Sequence, residues 1–302
     1  MTPSLDSLST LERYTVASER SAQQIIGAYS SSFGAATRLL GPRHRRHVRN
    51  IYALVRVADE LVDGATSEAG FTLEAQRAAL NELEGETDAA VLRGYSSNPI
   101  VHAFAATARE SGIGTELTTP FFASMRADLG EPQTEAVSAS DLLRFGTEAH
   151  ASYVYGSAEV IGLMCLRVFT RDERLNADET EVLEHGARRL GAAFQNVNFL
   201  RDLADDTARL GRSYLSVEGR IDRAQQQRWV VTIREQIADA RASIPLLPRD
   251  ARIAVGTALR LFERLNDRLE RTDAEKLYSQ RVRIPGPEKL LLLAQAAIEF
   301  RK

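Results

Sequence analysis

Two pairs of aspartates in this sequence have the four-residue spacing that places side chains on one face of a helix. Asp59 and Asp63 lie in the run RVADELVD, and Asp202 and Asp206 lie in the run NFLRDLADD. Two carboxylates side by side repel each other unless a nearby cation neutralises their charge. Magnesium is a hard cation that prefers carboxylate oxygens and is usually held together with substrate phosphates. The spacing therefore predicts a magnesium site at the two pairs, with manganese as the alternative ion.

The surroundings of these pairs distinguish them from ordinary acidic pairs on a solvated helix. With 41 acidic residues in 302, about six pairs with this spacing arise by chance, so one pair alone has little weight. Both pairs, however, consist of aspartate, which is a poor residue in a helix interior. Gln195 and Asn198 share the face of the second pair, and apolar residues occupy the rest of that helix. Such a helix is expected to be surrounded by other helices and to face an internal cavity.

The residues around the aspartates indicate chemistry on a diphosphate. Facing aspartate pairs could hold a cluster of magnesium ions that stabilises a departing diphosphate. Gln195 and Asn198 could hydrogen-bond to metal-bound water or to phosphate oxygens, and Asn198 is also a candidate metal ligand. Arg56, Arg201 and Arg212 could complete the charge balance through bidentate contacts with phosphate.

The composition and the positions of proline and glycine predict one all-α domain over residues 1–302. The chain is 44% hydrophobic and 26% charged, which is enough apolar material for a core. Alternating β-type runs are rare, and proline and glycine mark helix boundaries. The predicted helices span residues 10–28, 42–63, 72–85, 99–111, 119–129, 140–170, 176–207, 221–243, 249–271 and 287–300.

The same composition argues against several functional classes. The net charge of −3 is against a nucleic-acid-binding protein. Cys165 is the only cysteine, which excludes an internal disulfide and fits a reducing cytosol. No signal peptide and no apolar run near the ~20 residues of a membrane span are apparent, so we expect a cytoplasmic location. The basic run GPRHRRHVR is interpreted as a solvated helix start, with contact to anionic lipid as the alternative.

Three stretches resemble the squalene/phytoene synthase family. They read SSSFGAATRLL…IYALVRVADELVD, YVYGSAEVIGLM and FQNVNFLRDLADDTARLGRSYL, in the order of the family, and FASMRADL at 122–129 resembles a further helix. The resemblance implies an isoprenoid-synthase fold, which is a single helical bundle around a central apolar cavity. It also implies magnesium-dependent, head-to-head condensation of two prenyl diphosphates.

The resemblance assigns roles to particular residues. The four aspartates match metal-binding positions, and they act in catalysis with Arg56 and Tyr214. The positions that match substrate-binding residues are Ser30, Ser32, Arg56, Tyr153, Gln195, Asn198, Arg201, Arg212 and Tyr214. Ala158, Ile161 and Gly162 fall on the central helix of the family, where small residues leave room for a prenyl tail.

The sequence departs from the family pattern at four positions. Tyr29 and Ser31 replace the usual histidine and lysine of the early serine-rich stretch, which removes one cationic phosphate contact. Glu159 stands where glycine is common, and because a carboxylate beside an apolar tunnel is costly, we expect it to point away. Phe262 replaces a tyrosine on the last long helix, which removes a hydroxyl contact.

The lead hypothesis is a phytoene-forming enzyme of carotenoid biosynthesis that joins two geranylgeranyl diphosphates through a cyclopropyl diphosphate. A fifteen-carbon enzyme that makes squalene, presqualene diphosphate or dehydrosqualene from farnesyl diphosphate is the alternative, and no NADPH is expected. A non-catalytic scaffold relative is the alternative of another class. Such relatives typically lose metal aspartates, whereas all four are present here. Peripheral contact with a membrane, for release of the apolar product, is a further hypothesis. Substrate length and oligomeric state stay open.

Overall fold

Helices account for all regular structure in the part of the chain that the computed structural model describes, residues 7–30, 32–130, 148–203 and 221–301. The prediction of an all-α fold is confirmed. The helices of the first half are α1 (Thr10–Tyr29), α2 (Ser32–Thr37), α3 (Pro42–Asp63), α4 (Ala65–Glu68), α5 (Leu73–Arg93), α6 (Pro99–Ser111) and α7 (Thr115–Asp128).

The next helix, α8, changes its hydrogen-bonding pattern twice along its length. It consists of the α-helical segment His150–Val154, the π-helical segment Tyr155–Glu159 and the α-helical segment Val160–Thr170. Single π-helical turns of this kind occur frequently at functional sites. The remaining helices are α9 (Ala177–Arg201), α10 (Arg223–Ser243), a 3-10 turn (Ile244–Leu246), α11 (Arg249–Arg271), α12 (Ala274–Leu277) and α13 (Gly286–Glu299).

Local capping explains where most helices begin. Pro42 and Pro99 occupy the first position of α3 and α6, where their missing N–H costs nothing. Asn176 caps α9 in a reciprocal pair of hydrogen bonds with Glu179. These starts agree with the predicted ones to within about two residues.

Two predicted boundaries are wrong. Helix α5 continues to Arg93 rather than residue 85, and it ends at Gly94, whose φ of 78° suits glycine. Helix α7 begins at Thr115 and contains Pro120 in its second turn rather than at its start. Helix α9 ends at Arg201, with Asp202 as its C-cap, and its predicted end at residue 207 lies outside the described residues.

Helices α8 and α9 pack closely because glycines lie at their contact. A Cβ atom on Gly162 would lie 2.5 Å from the carbonyl oxygen of Ala187, and one on Gly191 would lie 2.5 Å from that of Ala158. Any larger residue would separate the two backbones. This contact joins two buried apolar clusters, one around α3, α5, α6, α7 and α8 and the other around α9, α10 and α11.

The last helix packs against the bundle. Ala296 of α13 is buried, and Glu299 pairs with Arg241 at 2.8 Å and with Arg260 at 2.6 Å. Phe300 lies against Gly256 of α11, where a Cβ atom would meet the ring. None of the described helices combines the length and apolar character needed to cross a bilayer.

A buried histidine lies in the contact between α3 and α6. Arg46 Nε donates to His47 Nε2 at 3.1 Å, so the proton of the neutral ring lies on Nδ1 and is donated to Thr107 Oγ1 at 2.9 Å. Desolvation, with a smaller effect from the charge of Arg46, lowers the pKa of His47 to about 3. The folded protein therefore keeps this ring neutral at pH values at which the unfolded chain protonates it.

We predict that the free energy of unfolding falls as the pH falls below about 6.5, the ordinary pKa of histidine. His47 contributes a slope of at most about 1.4 kcal/mol per pH unit, because only the unfolded state takes up its proton until the pH nears the folded-state pKa. Urea unfolding between neutral and mildly acidic pH measures this slope. His47→Gln should flatten it, whereas His185→Gln, at an exposed site, should not. Equal slopes in both variants and the wild type would contradict the assignment.

Candidate active site

A cavity of about 400 Å³ lies between α3, α8, α9 and α11. Its polar end is lined by Arg56, Asp59, Gln195 and Asn198, and the rest of its wall is mostly apolar. On α9 the lining runs from Asn198 to Leu183 at the apolar end, which is about 22 Å at 1.5 Å per residue. The predicted central cavity, and the polar stripe of α9 facing it, are therefore found.

Asp59 and its neighbours form the polar end on the α3 side. Arg56 Nη1 donates to Asp59 Oδ2 at 2.6 Å, and the same guanidinium pairs with Glu60. The Arg56 guanidinium also lies over the ring of Tyr29, 4.3 Å from its centroid. Tyr29, which replaces a histidine of the family pattern, thus contacts a predicted diphosphate-binding arginine. No feature of the sequence pattern indicated this contact.

The environment of Asp59 suits a bound cation. Desolvation raises the pKa of Asp59 to about 6, with further increases from the charges of Asp63 and Glu60, while Arg56 opposes them. A divalent ion would offset both the desolvation and the repulsion, since it supplies positive charge where the carboxylate has lost its water. The hard oxygen donors of this end, from carboxylates and amides, match the preference of magnesium.

Asp202, the C-cap of α9, is held by two arginines. Its Oδ1 accepts from Arg201 Nε and from Arg281 Nε, each at 2.8 Å. Its Oδ2 accepts from Nη2 of Arg201 at 2.6 Å and of Arg281 at 3.3 Å. Arg281 lies 79 residues farther along the chain, so spacing arguments could not connect it with Asp202. The segment before α13 thereby places the guanidinium group of Arg281 beside Asp202.

The described structure gathers some of the predicted residues and not others. Arg56, Asp59, Tyr153, Gln195 and Asn198 line the same cavity, as do Ala158, Ile161 and Gly162. The cavity wall does not include Ser30, Asp63, Arg201 or Asp202. Ser30 caps α1, and its Oγ accepts from the backbone N–H of Gly34 at 3.3 Å.

Several predicted positions lie outside what the structure describes: Asp206, Arg212, Tyr214 and the side chain of Ser32. Within the described residues, no three carboxylate, histidine or cysteine side chains come together as metal ligands. The full metal-binding set, which includes Asp206, therefore stays a prediction.

Two departures from the family pattern have a structural explanation. Glu159 pairs with Arg188 at 2.7 Å and does not line the cavity, as expected for a carboxylate beside an apolar tunnel. Phe262 stacks on Phe194 with ring centroids 3.8 Å apart, and both rings line the cavity. The lost hydroxyl is thus replaced by an aromatic contact.

A buried carboxylate that sequence analysis did not identify orients Tyr153. The hydroxyl of Tyr153 lies 2.9 Å from Oδ1 and 2.8 Å from Oδ2 of Asp128, which is 6% exposed. Asp128 is the last residue of α7, where the helix dipole disfavours negative charge, and burial adds to this cost. The phenol compensates by donating its proton, and the carboxylate fixes the phenol at the cavity wall. Its position in FASMRADL was the only signal in the sequence.

We predict that Asp128 acts through Tyr153. Asp128→Asn and Tyr153→Phe should each lower kcat by roughly ten- to hundredfold, because the phenol loses its fixed position. The double variant should be no slower than Tyr153→Phe alone, since residues that act as a unit are not additive. Steady-state kinetics of the four proteins measures this, with Tyr155→Phe, two residues away, as the control. Additive losses would show that Asp128 acts independently of Tyr153.

Comparisons with known proteins show which family this chain resembles. The family model for squalene/phytoene synthase matches residues 26–288. The phytoene synthase of Arthrospira platensis is 27% identical over 92% of this chain and 92% of its own length. The 15-cis-phytoene synthase of Synechocystis sp. is 29% identical over 91% of this chain and 82% of its own.

Solved structures share the fold. A dehydrosqualene synthase in complex with ligand superposes with a TM-score of 0.73 at 21% identity, covering 96% of this chain and 99% of that one. The squalene synthase HpnC from Alicyclobacillus acidocaldarius superposes with a TM-score of 0.67 at 18% identity, covering 88% and 97%. Since the family match covers most of the chain and the fold agrees with it, the protein belongs to the squalene/phytoene synthase family.

Proposed function

We propose that this prenyltransferase is a phytoene synthase, which joins two geranylgeranyl diphosphates head to head through a cyclopropyl diphosphate and releases diphosphate. The observation that carries the proposal is the long apolar cavity with arginine, carboxylate and amide groups at one end only. Phytoene synthases among the relatives, similar over nine-tenths of the chain, support the twenty-carbon substrate. The reaction belongs to carotenoid biosynthesis.

Magnesium is the cofactor that we propose. The residues that would hold it are Asp59, Asp63, Asn198, Asp202 and Asp206. When bound, magnesium neutralises the diphosphate and stabilises its departure. The raised pKa of Asp59, caused first by desolvation, supports this choice because it marks a carboxylate that lacks sufficient positive charge nearby.

The side chains of this chain bind the substrate and exclude water. Arg56 pairs with Asp59, and Arg201 pairs with Asp202. On our proposal these guanidinium groups turn to phosphate oxygens once cations neutralise the carboxylates. Gln195 donates hydrogen bonds to the diphosphate. The apolar wall keeps water from the carbocation that forms when diphosphate leaves.

The substrates are the partners that we propose, together with peripheral contact with a membrane that accepts the apolar product. We propose a cytoplasmic location. No NADPH takes part, because phytoene forms by loss of a proton rather than by reduction.

Product analysis tests the proposed function. The protein is incubated with magnesium and either geranylgeranyl or farnesyl diphosphate, and the hydrocarbons are identified by mass spectrometry. We expect phytoene from the twenty-carbon substrate. A fifteen-carbon enzyme would instead form squalene, dehydrosqualene or presqualene diphosphate, and that product without any phytoene would refute the proposal.

We predict that Asp59→Ala and Asp202→Ala each lower turnover by about 10²-fold or more, because a group that stabilises the leaving diphosphate is lost. The fold should persist, and Asp59→Ala should not lower the Tm, since it removes a desolvated carboxylate beside Asp63. Asp172→Ala, at an exposed site, is the control and should keep normal turnover. Near-normal turnover in both site variants would contradict the assignment.

Binding of ligand can be measured without turnover. Magnesium together with a non-hydrolysable diphosphate analogue, at about a hundredfold excess over Kd, should raise the Tm by roughly 5 °C or more. Magnesium alone should have a smaller effect, and Asp59→Ala should abolish the shift. An unchanged Tm in the wild type at saturating analogue would favour a non-catalytic relative.

A further inference from the structure

A second pocket opens on the outer surface and shares one lining residue with the apolar end of the cavity. Its volume is about 480 Å³, and it lies where the 3-10 turn and the start of α11 meet the start of α3. Leu247, which is 5% exposed, lines both this pocket and the cavity. At this point the wall between the cavity and the outside therefore includes a side chain common to both.

The outer pocket carries a net positive charge. Its lining includes Arg43, Arg174, Arg249 and Arg252 but only two acidic residues, Glu173 and Asp250. Arg43 pairs with both acids, at 3.2 Å and 2.8 Å. Arg174 and Arg249 are exposed, and neither forms an ion pair with another residue in the described part of the chain. Two guanidinium groups thus face outward without a counterion from that part.

Apolar side chains are exposed beside these arginines. Leu246, in the pocket itself, is 36% exposed. Three exposed apolar residues each precede a residue that lines the cavity: Leu39 precedes Leu40, Val182 precedes Leu183, and Leu246 precedes Leu247. The backbone N–H of Gly41 donates to the carbonyl oxygen of Asp250 at 3.0 Å, which ties the segment of Leu39 to the rim of the pocket.

We propose that this face, here called the docking face and defined by Leu246, Arg174 and Arg249 around the outer pocket, binds the surface of an anionic lipid bilayer. Guanidinium groups attract anionic headgroups, and adjacent apolar side chains enter the boundary between headgroups and acyl chains. The wall at Leu247 then lies between the apolar end of the cavity and the lipid.

Contact between this face and a bilayer would allow the apolar product to be released into lipid. This part of the argument rests on the proposed function. A hydrocarbon that has lost its diphosphate has no group for the charged end of the cavity at Arg56 and Asp59. Transfer past Leu247 into a bilayer would avoid exposing its apolar surface to water. The polar end would stay open to the water-soluble diphosphate.

Co-sedimentation with vesicles tests the docking face. The wild-type chain should sediment with vesicles of equal parts phosphatidylcholine and phosphatidylglycerol, should not sediment with phosphatidylcholine alone, and should be released by salt. The double variant Arg174→Glu/Arg249→Glu should bind anionic vesicles at least about tenfold more weakly. The matched control is Arg20→Glu/Arg228→Glu, which makes the same charge change at exposed sites elsewhere and should bind as the wild type does.

Fluorescence of a second variant tests the same face without weakening its charge. The chain has one tryptophan, Trp229, so the added emission of Leu246→Trp can be obtained by difference. This emission should shift to shorter wavelength with anionic vesicles. Absence of wild-type binding to anionic vesicles, equal losses in the two charge variants, or an unshifted emission would each overturn the proposal.

Turnover separates this proposal from the proposed function. In detergent, Arg174→Glu/Arg249→Glu should form product at the wild-type rate, because neither arginine lines the cavity. With anionic vesicles in place of detergent, its multiple-turnover rate should fall below that of the wild type and of the control pair. If no protein forms phytoene in detergent, the proposed function fails while vesicle binding still decides the docking face.

Discussion

The site depends on how carboxylates are kept at one end of an apolar cavity. Removing a carboxylate from water is costly, and the cost rises when a second carboxylate lies one helical turn away. In the described structure arginines offset this cost: Arg56 pairs with Asp59 at the cavity, and Arg201 and Arg281 pair with Asp202 just outside its wall. On our proposal, the carboxylates would hold magnesium when the substrate is bound. The arginines would then bind phosphate oxygens of the substrate instead of the carboxylates. Each carboxylate and its arginine thus lie next to each other.

The apolar part of the cavity depends on close packing rather than on charge. Gly162 and Gly191 let the backbones of α8 and α9 approach closely, which fixes one wall. The π-helical turn lies within this contact, and Tyr153 precedes it by two residues. The bond from Tyr153 to Asp128 ties the start of α8 to the end of α7. Gly162 of the central helix was expected to leave room for a prenyl tail. The backbone of α9 at Ala187 instead occupies the position that a side chain at Gly162 would fill.

The cavity has chemically different ends, and the two proposals assign a partner to each. The end with Asp59 and Asn198 suits a diphosphate and its cations. The end with Leu183 and Leu247 is apolar, and its outer side carries arginines and exposed leucine. Because the substrate has a charged head and the product has none, an asymmetric cavity can accept the one from water and deliver the other to lipid.

The sequence by itself determined the helical class, the starts of most helices and the family. Helix starts depend on residues next to each other, such as Pro42 or the Asn176–Glu179 cap, and the stripe of Gln195 and Asn198 follows from helical periodicity alone. Only the tertiary structure decided that Asp128 holds Tyr153, that Arg281 reaches Asp202 and that Leu247 lies between the cavity and the outer pocket. These features join residues far apart in the chain, and local spacing carries no information about such contacts, because they arise when helices pack.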